Sequence, residues 1–316
     1  MAIKSSEWIW MNGEWKKWED ATVHVSAHAL HYGSSVFEGI RTYQTPGGPA
    51  AFRLQEHVAR LFASARLQRM DTGSFSIDEM VNVCLEVADR NHEGACYLRP
   101  FFFRDAGGLG VDGSACPTSA VIFSIEWGRY LGPEAIEEGV DAAVSSWRRF
   151  TASSMSPLGK IGGQYVNNQF ACMEAHANGF VEAIMLDDRG NVCEGGGENL
   201  FLVLGDVIQT PGLASSILGG ITRDSVMTIA KDFGYEIREA PISRDMLYLA
   251  DEIFMTGTAA EITPVRSVDR LSIGEGRRGP VTKRLQEEFF GLLAGRIDDR
   301  YEWLTPVRQK ETTKCA

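Results

Sequence analysis

The 316-residue sequence has no Cys-x-x-Cys pair, no zinc-ligand spacing, no long apolar run and no excess of basic residues. Its six cysteines, at positions 84, 96, 116, 172, 193 and 315, stand singly, a usage that predicts reduced thiols rather than a disulfide frame. The stretch from Met1 to Trp15 lacks the apolar core and small-residue cleavage site of a secretory signal. No apolar run approaches the roughly 20 residues that cross a bilayer, so a cytoplasmic chain with no membrane partner is expected. Lys and Arg number 31 against 42 Asp and Glu, a net charge of −11. Backbone phosphates are repelled by such a surface on average, and no nucleic-acid partner is expected. There are no internal repeats and no long low-complexity tract; only the polar tail, 307–316, reads as disordered.

What is present is an ordinary globular composition, 44% hydrophobic and 23% charged, in a chain long enough for two domains. Asn12-Gly13 in WIWMNGEW signals a hairpin, and Pro46-Gly47-Gly48 separates two further β-rich runs. Leu54, Val58, Leu61, Phe62 and Leu67 recur at helical spacing, and the run from Ile77 to Asn91 is a second amphipathic helix behind a Ser76 cap. CYLRPFFFRD and SAVIFSIEWGRY follow as strands. GRYLGPEAIEEG then reads as a linker. The division is a small domain at 1–128, a linker loop at 129–138 and a large α+β domain at 139–316, with helices expected over 167–178, 223–233 and 283–293.

His24, His28 and His31 have the spacing of ligands on one helix face, but ATVHVSAH alternates like a strand entering a loop, which scatters the rings. No metal is expected there.

The chemistry concentrates between Lys160 and Phe201. Lys160 lies among glycines and small residues, where shielding from water frees an amine to attack carbonyl carbon, as a Schiff-base lysine must. A phosphate-loop reading of Gly159-Lys160 fails, because Ser154 and Ile161 stand where that loop needs Gly and Ser or Thr. Glu194 sits in CEGGGEN, whose glycines let the chain turn sharply and the carboxylate point inward. Gly219-Gly220 precede a helix opening at Thr222, and the free amides of such an N-terminus suit a phosphate; Thr258 in the turn after DEIFM adds a donor. A shielded amine, an inward carboxylate and a phosphate cradle together suit pyridoxal 5'-phosphate.

The chain resembles the fold-type-IV (class IV) pyridoxal-phosphate aminotransferases, and among them the branched-chain amino acid aminotransferases. The stretches that carry the resemblance are HALHYGSSVFEGIR from His28, HVARLFASA from His57, YLRP from Tyr97, KIGGQYVNN from Lys160, EGGGENLF from Glu194, GGITRD from Gly219 and GTAAEITPV from Gly257. The resemblance implies a two-domain α+β fold with the cofactor at the domain interface. It implies that Lys160 carries the cofactor, that Glu194 pairs with the pyridine nitrogen and that Tyr165 bonds the phenolic oxygen. Arg60, Gly220, Ile221, Thr222, Gly257 and Thr258 would hold the phosphate, with Leu218 packed on the ring. Tyr32, Phe37, Val111, Trp127 and Tyr130 would wall a substrate pocket in which Tyr97, Arg99, Thr258 and Ala259 receive carboxylates. Arg grips a carboxylate bidentately, so one pocket would serve aliphatic side chains and glutamate alike.

The implied reaction moves the amino group of L-leucine, L-isoleucine or L-valine to 2-oxoglutarate, yielding a branched 2-oxo acid and L-glutamate. The implied assembly is at least a homodimer, with the loop around Tyr32 and the turn 107–111 reaching the neighbour's site. Gly196 departs from the family's commoner EGSGEN, which loses a hydroxyl but no catalytic group. The other readings are a D-amino acid or (R)-amine aminotransferase, an aminodeoxychorismate lyase, and a non-catalytic binder of a phosphorylated ligand.

Overall fold

The computed structural model describes residues 4–126 and 134–308. Trp127, Tyr130, residues 129–133 of the expected linker and 309–316 of the expected tail lie outside the described residues. The chain divides into two compact units, 1–127 with 291–316, and 128–290. The sequence reading put 139–316 in one domain; residues 291–316 group instead with the first unit, where strand Leu304–Pro306 pairs antiparallel with Gly48–Phe52. A partner so distant in sequence leaves no local signal.

The first unit is built on an antiparallel sheet. Its main path runs through Leu304–Pro306, Gly48–Phe52, Ile40–Thr45, Tyr97–Arg104, Thr118–Glu126, Trp8–Met11 and Glu14–Lys17. The hairpin at its edge forms because Asn12 and Gly13 both take positive φ, 51° and 90°, as a two-residue turn matching strand twist requires. Helices Leu54–Leu67 and Ile77–Asn91 cover this sheet through Leu54, Val58, Leu61, Met80 and Val87, all fully buried. Each such side chain removed from water contributes about 1.5–3 kcal/mol. Ser76 caps the second helix by accepting from the Glu79 amide at 3.1 Å, as its sequence predicts.

No strand forms over 21–27; residues His28–Tyr32 make a short helix instead, so the expected run from strand to loop is corrected to a loop entering a helix. Gly33 ends that helix at φ 64°. The three rings take separate partners: His24 bonds Ser26, His28 bonds Ser34 Oγ at 2.7 Å and Gly110 O at 3.0 Å, and His31 bonds Val25 O.

The second unit holds a mixed sheet. Val192–Gly195, Glu182–Leu186, Val140–Arg148, Glu261–Val268, Glu252–Gly257 and Asn199–Leu204 pair in that order, and the circuit closes where Glu194 pairs Asn199. Glu182–Leu186 and Val192–Gly195 are buried at every residue, so their sequences show no alternation. Ile184, Leu186, Leu200, Leu202, Ile253 and Met255 form the core with Leu247 of helix Arg244–Leu249. Helix Tyr165–Ala177 packs Ala171 and Ala175 against Ala183 and Met185. Glu252 caps helix Pro280–Leu293, accepting from the Val281 and Thr282 amides at 2.8 Å and from Thr282 Oγ1 at 2.6 Å.

Candidate active site

Within the second unit, the reactive amine is defined by its neighbour. Lys160 is half-buried, and its Nζ donates to the Tyr165 hydroxyl at 2.7 Å. Tyr165 opens its helix after the short turn Gly162–Gln164, so two glycines bring lysine and tyrosine together across five residues of chain.

Glu194 is 4% exposed on strand Val192–Gly195. Arg149 Nη2 stands 2.7 Å from its Oε1; the Leu218 amide donates to Oε2 at 2.9 Å, and Asn199 Nδ2 lies 3.5 Å from the same oxygen. Burial pushes the carboxyl up from its ordinary value, while Arg149, the Leu218 amide and the Lys160 ammonium pull it back. Lys160, Tyr165, Glu194 and Leu218 are thereby brought into one neighbourhood.

The Gly-rich turn after Glu194 is backed by two further acids. Glu182 Oε1 accepts from the Ala183 amide at 2.7 Å and the Gly196 amide at 3.2 Å, and Glu198 accepts from the Gly197 amide at 2.8 Å. Burial, then the charge of Glu182, pushes Glu198 well above the usual carboxylate range. The half-buried Cys172 thiol beside the pair is pushed up to about 12 by burial and the Glu182 charge. A Cβ on residue 196 would collide with Cys172 Sγ and lie 2.5 Å from Glu182 Oε1, which explains glycine there.

The phosphate-sized cradle starts where helix Ile221–Asp232 begins, one residue before Thr222. Gly220 is its N-cap and no side chain caps it. A Cβ on Gly220 would strike Asn199 Oδ1, so only glycine lets Asn199 reach the Leu218 carbonyl, to which it donates at 2.9 Å. Thr222 is buried; Gly257 ends strand Glu252–Gly257, and Thr258 and Ala259 are half-buried in the turn that follows. Thr256, paired with Asn199 across the sheet, has a buried hydroxyl with no protein partner. A half-buried amine, an inward carboxylate, an uncapped helix N-terminus and an orphaned hydroxyl fit a phosphorylated pyridine aldehyde.

Three groups of candidates occur in the first unit. Arg60 donates to Glu38 from Nε at 2.6 Å and Nη2 at 2.9 Å, and His57 Nδ1 stands 2.7 Å from the same carboxylate. Burial alone would raise Glu38; the Arg60 and His57 charges hold it well below the usual range. Arg99 stacks 4.7 Å from the Phe37 ring and donates from Nη2 to the Tyr97 hydroxyl at 2.9 Å, leaving a buried Nε without a protein partner. Tyr32, 45% exposed, donates to Leu109 O at 2.8 Å, so the loop at Tyr32 and the 107–111 turn meet; Val111 in that turn is 80% exposed. Trp127 and Tyr130 lie outside the described residues.

Sequence reasoning missed Arg149, and passed over Asn168, Asn199 and Glu38 although all three lie inside the quoted motifs. WRRF carries no pattern, whereas an Asn beside EGGGE and a Glu beside Gly39 were signals available to it.

The family described as amino-transferase class IV matches residues 35–268. The chain belongs to the class IV aminotransferases. It is 50% identical over 310 residues to the branched-chain-amino-acid aminotransferase of Escherichia coli strain K12, covering 98% of this chain and 100% of that one. The crystal structure of the Escherichia coli branched-chain amino acid aminotransferase superposes with a TM-score of 0.94 at 49% identity, over 96% of this chain and 100% of that one. The T.th. branched-chain amino acid aminotransferase with pyridoxamine 5'-phosphate gives 0.93 at 48% identity, over 97% of this chain and 100% of that one.

Proposed function

We propose that this chain is a pyridoxal-phosphate-dependent branched-chain amino acid aminotransferase, transferring the amino group of L-leucine, L-isoleucine or L-valine to 2-oxoglutarate. The observation that carries the reading is the 2.7 Å contact of Lys160 Nζ with the Tyr165 hydroxyl, in the same neighbourhood as the buried Glu194. The full-length likeness to aminotransferases of that name supports the substrate class. The T.th. relative, whose structure holds pyridoxamine 5'-phosphate, supports the cofactor.

Pyridoxal 5'-phosphate, when bound, supplies the aldehyde that takes the amino group and a ring that accepts the electrons of the substrate's Cα–H bond. Lys160 Nζ would hold the cofactor and would move the substrate's Cα proton, acting as general base and then acid. Tyr165, whose hydroxyl accepts from the lysine amine, would hold the phenolic oxygen. Glu194 would keep the pyridine nitrogen protonated. Leu218 would pack on the ring, and Gly220, Ile221, Thr222, Gly257 and Thr258 would hold the phosphate; Arg60 is proposed as a further phosphate ligand.

Phe37, Tyr32 and Val111 are proposed to wall the pocket for the substrate side chain. Tyr97 and Arg99, and separately Thr258 and Ala259, are proposed to receive carboxylates; the unpartnered Nε of Arg99 is a donor suited to the distal carboxylate of glutamate. The exposed Tyr32 and Val111 suit contribution to a neighbour's site in a homodimer or larger assembly. The cytoplasm is the proposed compartment. Among the described residues no helix is long and apolar enough to cross a membrane.

Absorbance is the test. Pyridoxal phosphate added to the protein should give a visible band that Lys160→Ala abolishes, and L-leucine, L-valine and L-isoleucine should react with 2-oxoglutarate. A preparation that stays colourless refutes the cofactor. Reaction with D-alanine or a chiral amine alone refutes the substrate.

A further inference from the structure

Arg149 follows strand Val140–Arg148 and is 7% exposed. Its guanidinium reaches three segments: Nη2 lies 2.7 Å from Glu194 Oε1, Nη1 donates to Asn168 Oδ1 at 2.7 Å, and Nε donates to Ser216 O at 3.3 Å. Its carbon face lies 4.1 Å from the Phe150 ring. Each segment carries a group of the proposed cofactor site. Glu194 is the first; Asn168 lies in the opening turn of the helix that begins at Tyr165; and Ser216 stands just before Leu218, whose amide donates to Glu194 Oε2 at 2.9 Å. Asn168 closes the circuit, donating from Nδ2 to Gly196 O at 2.8 Å. One side chain therefore joins the turn at Glu194, the helix of Tyr165 and the loop at Leu218.

We propose that Arg149 is the positioning residue of this site: it aims the Glu194 carboxylate and keeps the Tyr165 helix and the Leu218 loop in register with it. The role presumes the pairing of Glu194 with the pyridine nitrogen proposed above. A planar guanidinium suits the task, because its donors diverge in fixed directions, whereas an ammonium offers one point. A carboxylate buried without a counter-charge takes up a proton instead of remaining ionised. A neutral acid has no charge with which to hold a protonated ring nitrogen. Among the described residues, Lys160, Glu198 and the Cys193 thiol also face Glu194. Lys160 is a cation.

The test uses the full chain in two states. Free of cofactor, infrared spectroscopy follows the carbonyl stretch of a protonated carboxylic acid against pH, with Glu194→Gln assigning the band. Arg149→Met should raise the pH midpoint of that band by at least about one unit, and Arg149→Lys should fall between it and the parent. With pyridoxal phosphate added, Arg149→Met should weaken binding by about tenfold or more. Because Arg149 acts partly through Glu194, the double variant Arg149→Met with Glu194→Gln should lose less affinity than the sum of the two single losses. Equal midpoints in parent and Arg149→Met, or additive losses in the double variant, overturn the proposal. Where Arg149→Met does not fold, Arg149→Lys carries the same comparisons. Failure of the parent to bind pyridoxal phosphate overturns the proposed function, and the infrared midpoint still decides whether Arg149 governs Glu194.

Discussion

Two buried acids in this chain have their pKa values moved in opposite directions, and the difference follows from their partners. Glu38 is gripped by Arg60 and faced by His57, so its folded-state pKa is lowered. Its contribution to stability is present above the unfolded value of about 4.3 and is lost as pH falls below it. Glu38→Gln should therefore cost about 3–5 kcal/mol at neutral pH, the usual loss on breaking a buried ion pair, with the gap narrowing in acid. Unfolding by denaturant at two pH values measures it. Glu198 has the reverse sign: burial and Glu182 raise its pKa, so the folded state holds a proton that the unfolded state releases. Glu198→Gln should raise the thermal midpoint at pH about 8 and leave it unchanged near pH 4. A midpoint that falls at both values contradicts the assignment.

Lys160 and Glu194 were legible in the sequence because glycines surround them, and glycine marks chain that must turn tightly. Arg149 was not, because its partners come from helix, strand and loop and meet only in the folded sheet.

Elements were legible where a local rule sufficed. Asn12-Gly13 gave its hairpin, Ser76 its cap, and the periodic runs became helices Leu54–Leu67 and Ile77–Asn91. Strand Glu261–Val268 was not picked out, although one edge pairs antiparallel with the preceding Glu252–Gly257 across a short turn; its other edge pairs parallel with Val140–Arg148, far away in sequence. The turn 194–197 ties elements to chemistry. Gly196 leaves the space that Cys172 and Glu182 fill, so Gly196→Ser should weaken pyridoxal-phosphate binding and lower the thermal midpoint, and Cys172→Ala in the same chain should recover part of both. Absorbance titration and melting curves of the parent and the two variants measure this. No recovery in the double variant would show that the clash is not what excludes serine. The cap on helix Pro280–Leu293 is a second such joint: Glu252→Ala strands the Val281 and Thr282 amides, at a cost of about 1–3 kcal/mol measured by denaturant unfolding.

For the molecule as a whole, the strand circuit of the second unit explains why its cofactor candidates are held so firmly. Glu194 lies at the closure of that circuit, paired with Asn199, and Asn199 in turn fixes Leu218 and Gly220. In the first unit, Arg60 on helix Leu54–Leu67 is paired with the buried Glu38, and Arg99 on strand Tyr97–Arg104 donates to the Tyr97 hydroxyl. Assembly belongs to this scale too. Light scattering should give at least twice the 34.8 kDa chain mass, and a monomer would remove the proposed role of Tyr32 and Val111 at a neighbour's site. The account turns on one half-reaction. Protein loaded with pyridoxal phosphate and mixed with L-leucine, without 2-oxoglutarate, should release one equivalent of branched 2-oxo acid per chain, and Lys160→Ala none. No 2-oxo acid from the parent chain, or the same amount from Lys160→Ala, would contradict it.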